Sequence, residues 1–388
     1  KGPKASPHDI PFMGMHISGE HRYMLENVQV SRKSGDESRV LPVSAIENKL
    51  EQILLTRGEV RLNEYRDELR SVAEELGMQT EFAKINSIIS ALLSTHDAKV
   101  LSIDSAKALA VGNPFDKTRV ELFEVLFDAI KDRYFIIRNN RNTDEESFRL
   151  FSFFESYFSN YIEGTEFEID EAKAIVDSGI PMPRRDEDSH DILGTFKVLS
   201  NRAEMMKTPT SPKELFAILS HRHSILLEGR PHMNPGIFKT KNNRAGMTEF
   251  VDYQLVKGTL SQGFKYYAAL TDPFARAIFM MFMISEVHPF NDGNGRVARV
   301  MMNAELVRAD QSRIIVPTVF REDYILALRK LTRHKDPLAY INVMTKLHQF
   351  SDNLYGTDFT ELKDYLAACN AYDEPSQAKL QIIDRTIS

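Results

Sequence analysis

His288-Pro289-Phe290-Asn291-Asp292-Gly293-Asn294-Gly295-Arg296, followed by Arg299, is a tight loop between two helical patterns. Ahead of it, Asp272-Pro273 is an N-cap and N1 pair for an apolar helix reaching about Val287. Behind it, Val297, Val300, Met301, Ala304 and Val307 mark the buried face of a second helix starting near Gly295. Gly293 and Gly295 allow positive φ and let backbone N–H groups approach a ligand. A helix N-terminus is an anion site, and Arg296 and Arg299, one turn apart, can lean toward the same anion. Asp292 supplies the single carboxylate that suits Mg²⁺ bridged to phosphate oxygens. His288 titrates near neutrality and can serve as general base toward an incoming hydroxyl. Phe290 reads as an apolar anchor. Together these groups describe a phosphoryl or nucleotidyl transfer site. The Gly-Asn-Gly piece alone would fit a plain interhelical turn with a solvated arginine pair.

The whole stretch resembles the defining motif of the Fic (Fido) family, His-Pro-Phe-x-Asp/Glu-Gly-Asn-Gly-Arg, at every position, and Arg299 fits its extended form. The resemblance covers roughly residues 150–350. It implies a compact all-α core with a small β-hairpin flap, flanked by an N-terminal helical region and C-terminal helices. It also implies AMP transfer from Mg-ATP (or Mn-ATP) to a Ser, Thr or Tyr hydroxyl of a protein. In that scheme His288 deprotonates the hydroxyl and Asp292 holds the metal. Gly293, Asn294, Gly295 and Arg296 grip the phosphates, and Arg299 meets the γ-phosphate. Phe238 through Leu255 would be the flap, pairing with the target as an added strand. Tyr324, in a segment resembling the one that lines the adenine site, could stack on the base or be a core tyrosine. Removal of AMP, transfer of UMP or phosphocholine, and a non-enzymatic nucleotide scaffold are the alternatives; the intact His288 argues against the last.

Many members of the family carry an inhibitory motif, Ser/Thr-x-x-x-Glu-Gly/Asn, whose glutamate pairs with the second arginine. Two stretches match: Ser159 to Gly164 with Glu163, and Ser224 to Gly229 with Glu228. The first closes a well-marked helix, with Thr143 and Glu146 at capping-box spacing and Phe151, Phe154, Phe158 and Ile162 on one face. A carboxylate in the last turn of a helix is disfavoured by the dipole and gains much from a cation. Ser159, Glu163 and Gly164 are therefore assigned as the N-terminal inhibitory helix of a class II-like member.

Outside the core, residues 1–40 read as an irregular arm and 41–142 as an N-terminal helical region. The inhibitory helix and core span 143–350, and 351–388 form a C-terminal helical extension. The helices at 59–93 lack the basic face that nucleic-acid recognition needs and suit packing or homodimer formation. With 42% hydrophobic and 27% charged residues and a net charge of -6, the chain has no bulk attraction for nucleic acid or anionic membranes. Residues 1–20 lack a signal-peptide pattern, and the lone Cys369 suits a reducing cytoplasm. The expected partners are ATP and a protein bearing an accessible hydroxyl, with this chain itself among the candidates. His221, His223 and His232 match no standard metal spacing.

Overall fold

The computed structural model describes residues 6–7, 9–29, 40–93, 100–246 and 248–385. The chain divides into two units, Lys1–Phe115 and Asp116–Ser388. The division falls well before residue 142. Helix Lys117–Ile130, expected in the N-terminal region, instead belongs to the second unit, because Leu122, Phe123, Leu126 and Ile130 are buried in its core.

The first unit holds strands β1 (Ile10–Phe12) and β2 (Met15–Ile17) and helices α1 (Glu20–Glu26), α2 (Val43–Leu76), α3 (Gln79–Leu92) and α4 (Asp104–Ala110). An irregular arm over 1–40 is corrected here: Met13 and Gly14 take positive φ and close an antiparallel hairpin, and a short helix follows it. Residues 1–5, 8 and 30–39 of that stretch lie outside the described residues. Helix α2 breaks at Gly58, whose φ of 78° is non-helical. Ile46, Leu50, Leu62, Leu69, Ile85 and Ile89 form this unit's own core.

The second unit runs α5 (Lys117–Ile130), α6 (Glu145–Ile162), α7 (Ile169–Ser178), α8 (Asp186–Leu199), α9 (Arg202–Met205) and α10 (Pro212–Leu226). Strands β3 (Arg244–Ala245) and β4 (Thr248–Glu249) follow, then α11 (Val256–Ala269), α12 (Pro273–Val287), α13 (Asn294–Arg308), α14 (Arg321–His334), α15 (Pro337–Ser351) and α16 (Phe359–Ala368). The fold is all-α with one small flap. Helix α12 is almost wholly buried and packs along α13, so the loop between them is fixed from both ends. Helix α6 starts on Asp144 rather than Thr143: the Asp144 carboxylate accepts the Ser147 N–H at 2.8 Å. A buried set of Glu155, Asn303 and Arg313 pins α6 to the core, with Arg313 3.0 Å from Glu155 and Asn303 2.7 Å from it. No helix among the described residues is long and apolar enough to cross a membrane.

Candidate active site

The loop is shaped by its own side chains. Helix α12, capped by the Asp272 carboxylate, ends where His288 turns to φ 49° and ψ 61°. The Asn294 amide then closes the turn: its oxygen accepts the Phe290 N–H and its nitrogen donates to the Phe290 carbonyl, both at 2.9 Å. Both ends of the buried Asn294 side chain are thus taken within the loop, so the side chain acts as a brace for the turn. Gly293 precedes α13 at φ 69°, with Leu227 so close that a Cβ would lie 3.0 Å from its Cδ2.

His288, Arg299, Glu163 and Tyr324 meet, with Gly295 and Phe250, in the lining of a cavity of about 260 Å³. His288 Nδ1 is 2.6 Å from the Ser285 carbonyl. A carbonyl can only accept, so Nδ1 carries the proton and Nε2 keeps its lone pair. The ring stacks on Phe250 of the flap, 3.4 Å between centroids and 2° from parallel. Burial pushes the imidazole down to about 4, which leaves it neutral at physiological pH.

Arg299 is buried and held from α6. Its Nε donates to Ser159 Oγ at 2.9 Å, and its NH2 donates to the Ser159 carbonyl at 2.8 Å and to Glu163 Oε1 at 2.7 Å. The Glu163 carboxylate also lies against Gly295, where any Cβ would overlap it. It therefore occupies the first turn of α13, where a phosphate oxygen would find the helix N–H groups. Gly164, at φ 93°, ends α6 just past it. The second matching glutamate is elsewhere: Glu228 is exposed and pairs with Lys197 at 3.0 Å.

Arg296 is anchored by Asp191 of α8 at 2.9 Å and by Asn160 at 3.4 Å, and its buried Nε has no partner among the described residues. Asp292 is 38% exposed, with its nearest cation, Arg296, 3.7 Å away. That open carboxylate fits a metal held between one protein oxygen and substrate phosphates. His223 fixes its backbone, with Nδ1 accepting the Gly236 N–H at 2.8 Å and Nε2 donating to the Asp292 carbonyl at 2.9 Å. Tyr324 is only 3% exposed and its phenol is raised by burial, with Arg299 beside it pulling the other way. It forms part of the cavity wall.

Asp191, Asn160, Phe250 and Lys239 are not legible as site residues from sequence. Asp191 precedes Arg296 by 105 positions, and no local pattern links them. His223 is visible in sequence, but its role in holding the loop is not.

Residues 214–306 match the family model described as the Fic/DOC family. The chain is 24% identical over 243 residues to the protein adenylyltransferase Fic of Nematostella vectensis, covering 59% of this chain and 54% of that protein. It is 26% identical over 178 residues to the protein adenylyltransferase fic-1 of Caenorhabditis elegans, covering 44% and 35%. The chain thus spans about half the length, or less, of these curated relatives. Among solved structures, Fic-1 (aa134–508) from C. elegans aligns over 84% of this chain and 97% of that one, at 16% identity and a TM-score of 0.45. The motif, complete from His288 to Arg296, lies inside the region that matches the Fic/DOC family model.

Proposed function

We propose that this chain is a protein adenylyltransferase held in check by Glu163. The observation that carries the reading is the meeting of His288, Gly295 and Arg299 around one cavity. In the reaction, a Ser, Thr or Tyr hydroxyl oxygen of the target attacks the α-phosphorus of ATP. The bond to the β-phosphate oxygen breaks, pyrophosphate leaves, and the hydroxyl proton passes to His288 Nε2. A base with so low a proton affinity gains affinity when the negative triphosphate arrives beside it. Arg296 and the first turn of α13 bind phosphate oxygens, and Asp292 holds Mg²⁺, which when bound neutralises charge on the phosphates.

Glu163 opposes this in two ways: it takes the Arg299 guanidinium, and it fills the anion position beside Gly295. Activity requires that the carboxylate leave. The presence of Glu163 in the same cavity as His288 also favours a second reading, removal of AMP from a modified protein, in which Glu163 positions the attacking water. The buried free thiol of Cys369 is compatible with the cytoplasm as its compartment. Incubation of purified Glu163→Gly with labelled ATP and a cell extract tests the reading. Label should appear on protein and vanish when His288→Ala is added. Label on no protein, with ATP still bound, sinks it.

A further inference from the structure

Lys239 lies at the root of the flap, 3% exposed, and none of the reactions above uses it. Among the described residues no carboxylate lies within ion-pair distance of it. A buried ammonium without such a partner is costly, and burial accordingly pulls this one down to about 8. The other charges that bear on it are Asp252, which favours its charge, and Arg119, which opposes it.

Its contacts form a closed circuit around His288. The Lys239 N–H donates to the Pro289 carbonyl at 2.8 Å, and Nζ lies 3.4 Å from the Val287 carbonyl, so it grips the chain on both sides of His288. Nζ also donates to Asn243 Oδ1 at 2.6 Å. That contact fixes which way the Asn243 amide points, and its nitrogen donates to the Phe290 carbonyl at 2.9 Å. The Asn243 carbonyl accepts the Phe250 N–H at 3.3 Å, and Phe250 is the ring stacked on His288. The Lys239 side chain supplies two links of this circuit, Nζ to Asn243 Oδ1 in the flap and Nζ to the Val287 carbonyl beside the base, and the main chain and the Asn243 amide supply the others. A neutral methylene chain of equal length could fill the space but could make neither of the Nζ donations.

We infer that Lys239 is a positioning residue for the transfer step, coupling the flap to His288 through Asn243 and the Val287 carbonyl. This rests on the reading of His288 as the base. The coupling predicts a split between binding and turnover, because Lys239 bonds to the flap and to the residues on either side of the base but to none of the groups assigned to the phosphates.

The test compares Lys239→Met and Lys239→Arg, each in full-length Glu163→Gly protein, by ATP affinity, kcat for AMP transfer and amide exchange over residues 240–250. Lys239→Met should keep ATP affinity within about twofold and lower kcat about 10- to 100-fold. It should also speed exchange in the flap, while Lys239→Arg, which keeps the charge and donors, retains more of the rate. Parental kcat in Lys239→Met overturns the inference, as does a loss of ATP affinity as large as the loss of rate. Should the Glu163→Gly parent transfer no AMP at all, the adenylyltransferase reading falls and the exchange measurement decides for Lys239. Faster flap exchange upholds the coupling, and unchanged exchange overturns it.

Discussion

Glu163 and Arg299 stand 136 residues apart in sequence and 2.7 Å apart in the fold. Glu163 forms the C-cap of α6, where the helix dipole disfavours its charge, yet lies over the first turn of α13, where the dipole favours it. The pair is also unequal in exposure: the arginine side chain is 6% exposed and the carboxylate 30%. Glu163 can thus swing toward solvent, whereas Arg299 stays fixed by Ser159.

Glu163→Gly is therefore expected to raise AMP transfer, self-modification included, by about 10² or more, the effect of losing a charge-assisted contact worth a few kcal/mol. Glu228→Gly should leave transfer unchanged, since its carboxylate meets only Lys197 at the surface. Stability should change little in both: Glu228 is at the surface, and in the Glu163 variant Gly164 still terminates α6 while Arg299 keeps its two bonds to Ser159. Parallel assays with labelled ATP check this; activation by the Glu228 variant would move the inhibitory contact to the turn after α10.

His288→Ala should cut transfer by about 10² to 10⁴ while ATP affinity stays near parental. The pH profile adds a second check. As a general base His288 would act in its neutral form, and burial has moved its titration down to about 4. The rate should thus hold level as pH falls through 6.5, where an ordinary histidine would already be half protonated. A midpoint near 6.5 in kcat/KM for free enzyme would show that another group, or a more exposed His288, carries the proton.

Much of this site is legible in the sequence, and the reason is local. From His288 to Arg299 the anion site, the carboxylate and the base lie within twelve consecutive residues, so spacing alone sets their proximity. The same holds for α12, whose Asp272-Pro273 start and Val287 end match the structure. The choice between Glu163 and Glu228 rests in sequence on the motif and a dipole argument, and the fold places only Glu163 beside Arg299. Contacts between distant segments are not legible in the same way. Asp191 on Arg296, Phe250 on His288 and Lys239 beneath the flap come from elements tens of residues away, and their residue types suit many surfaces equally well. The N-terminal arm and the boundary at 142 differ from expectation for a related cause: Met13 has no turn signature of its own, and α5 looks alike whichever core receives its apolar face.

Removal of divalent metal should abolish transfer, and Asp292→Ala should raise the Mg²⁺ concentration for half-maximal rate by about tenfold or more. Asp292 is largely open to solvent and its ion pair with Arg296 is long, at 3.7 Å, so the loss of its side chain should cost little stability. A titration of rate against Mg²⁺ for parent and variant, both in the Glu163→Gly background, gives the answer. Identical curves would place the metal on phosphate oxygens and water alone.

Asn294→Ala tests whether this residue shapes the loop or grips the nucleotide. The amide is buried and makes two bonds to one residue, to the N–H and the carbonyl of Phe290. Alanine leaves the N–H without its acceptor in a site that water does not readily reach, at a cost of about 1–3 kcal/mol. The carbonyl keeps the Asn243 amide at 2.9 Å and so suffers less. Because Phe290 anchors the loop against His223, in a stack 3.7 Å between centroids, its loosening displaces His288 and Asp292 together. Thermal unfolding should therefore drop by several degrees. Transfer should fall with both a lower kcat and a weaker ATP affinity, unlike the Lys239 variant. A side chain that merely touched phosphate would weaken ATP affinity at an unchanged melting temperature, and that outcome would return Asn294 to the nucleotide.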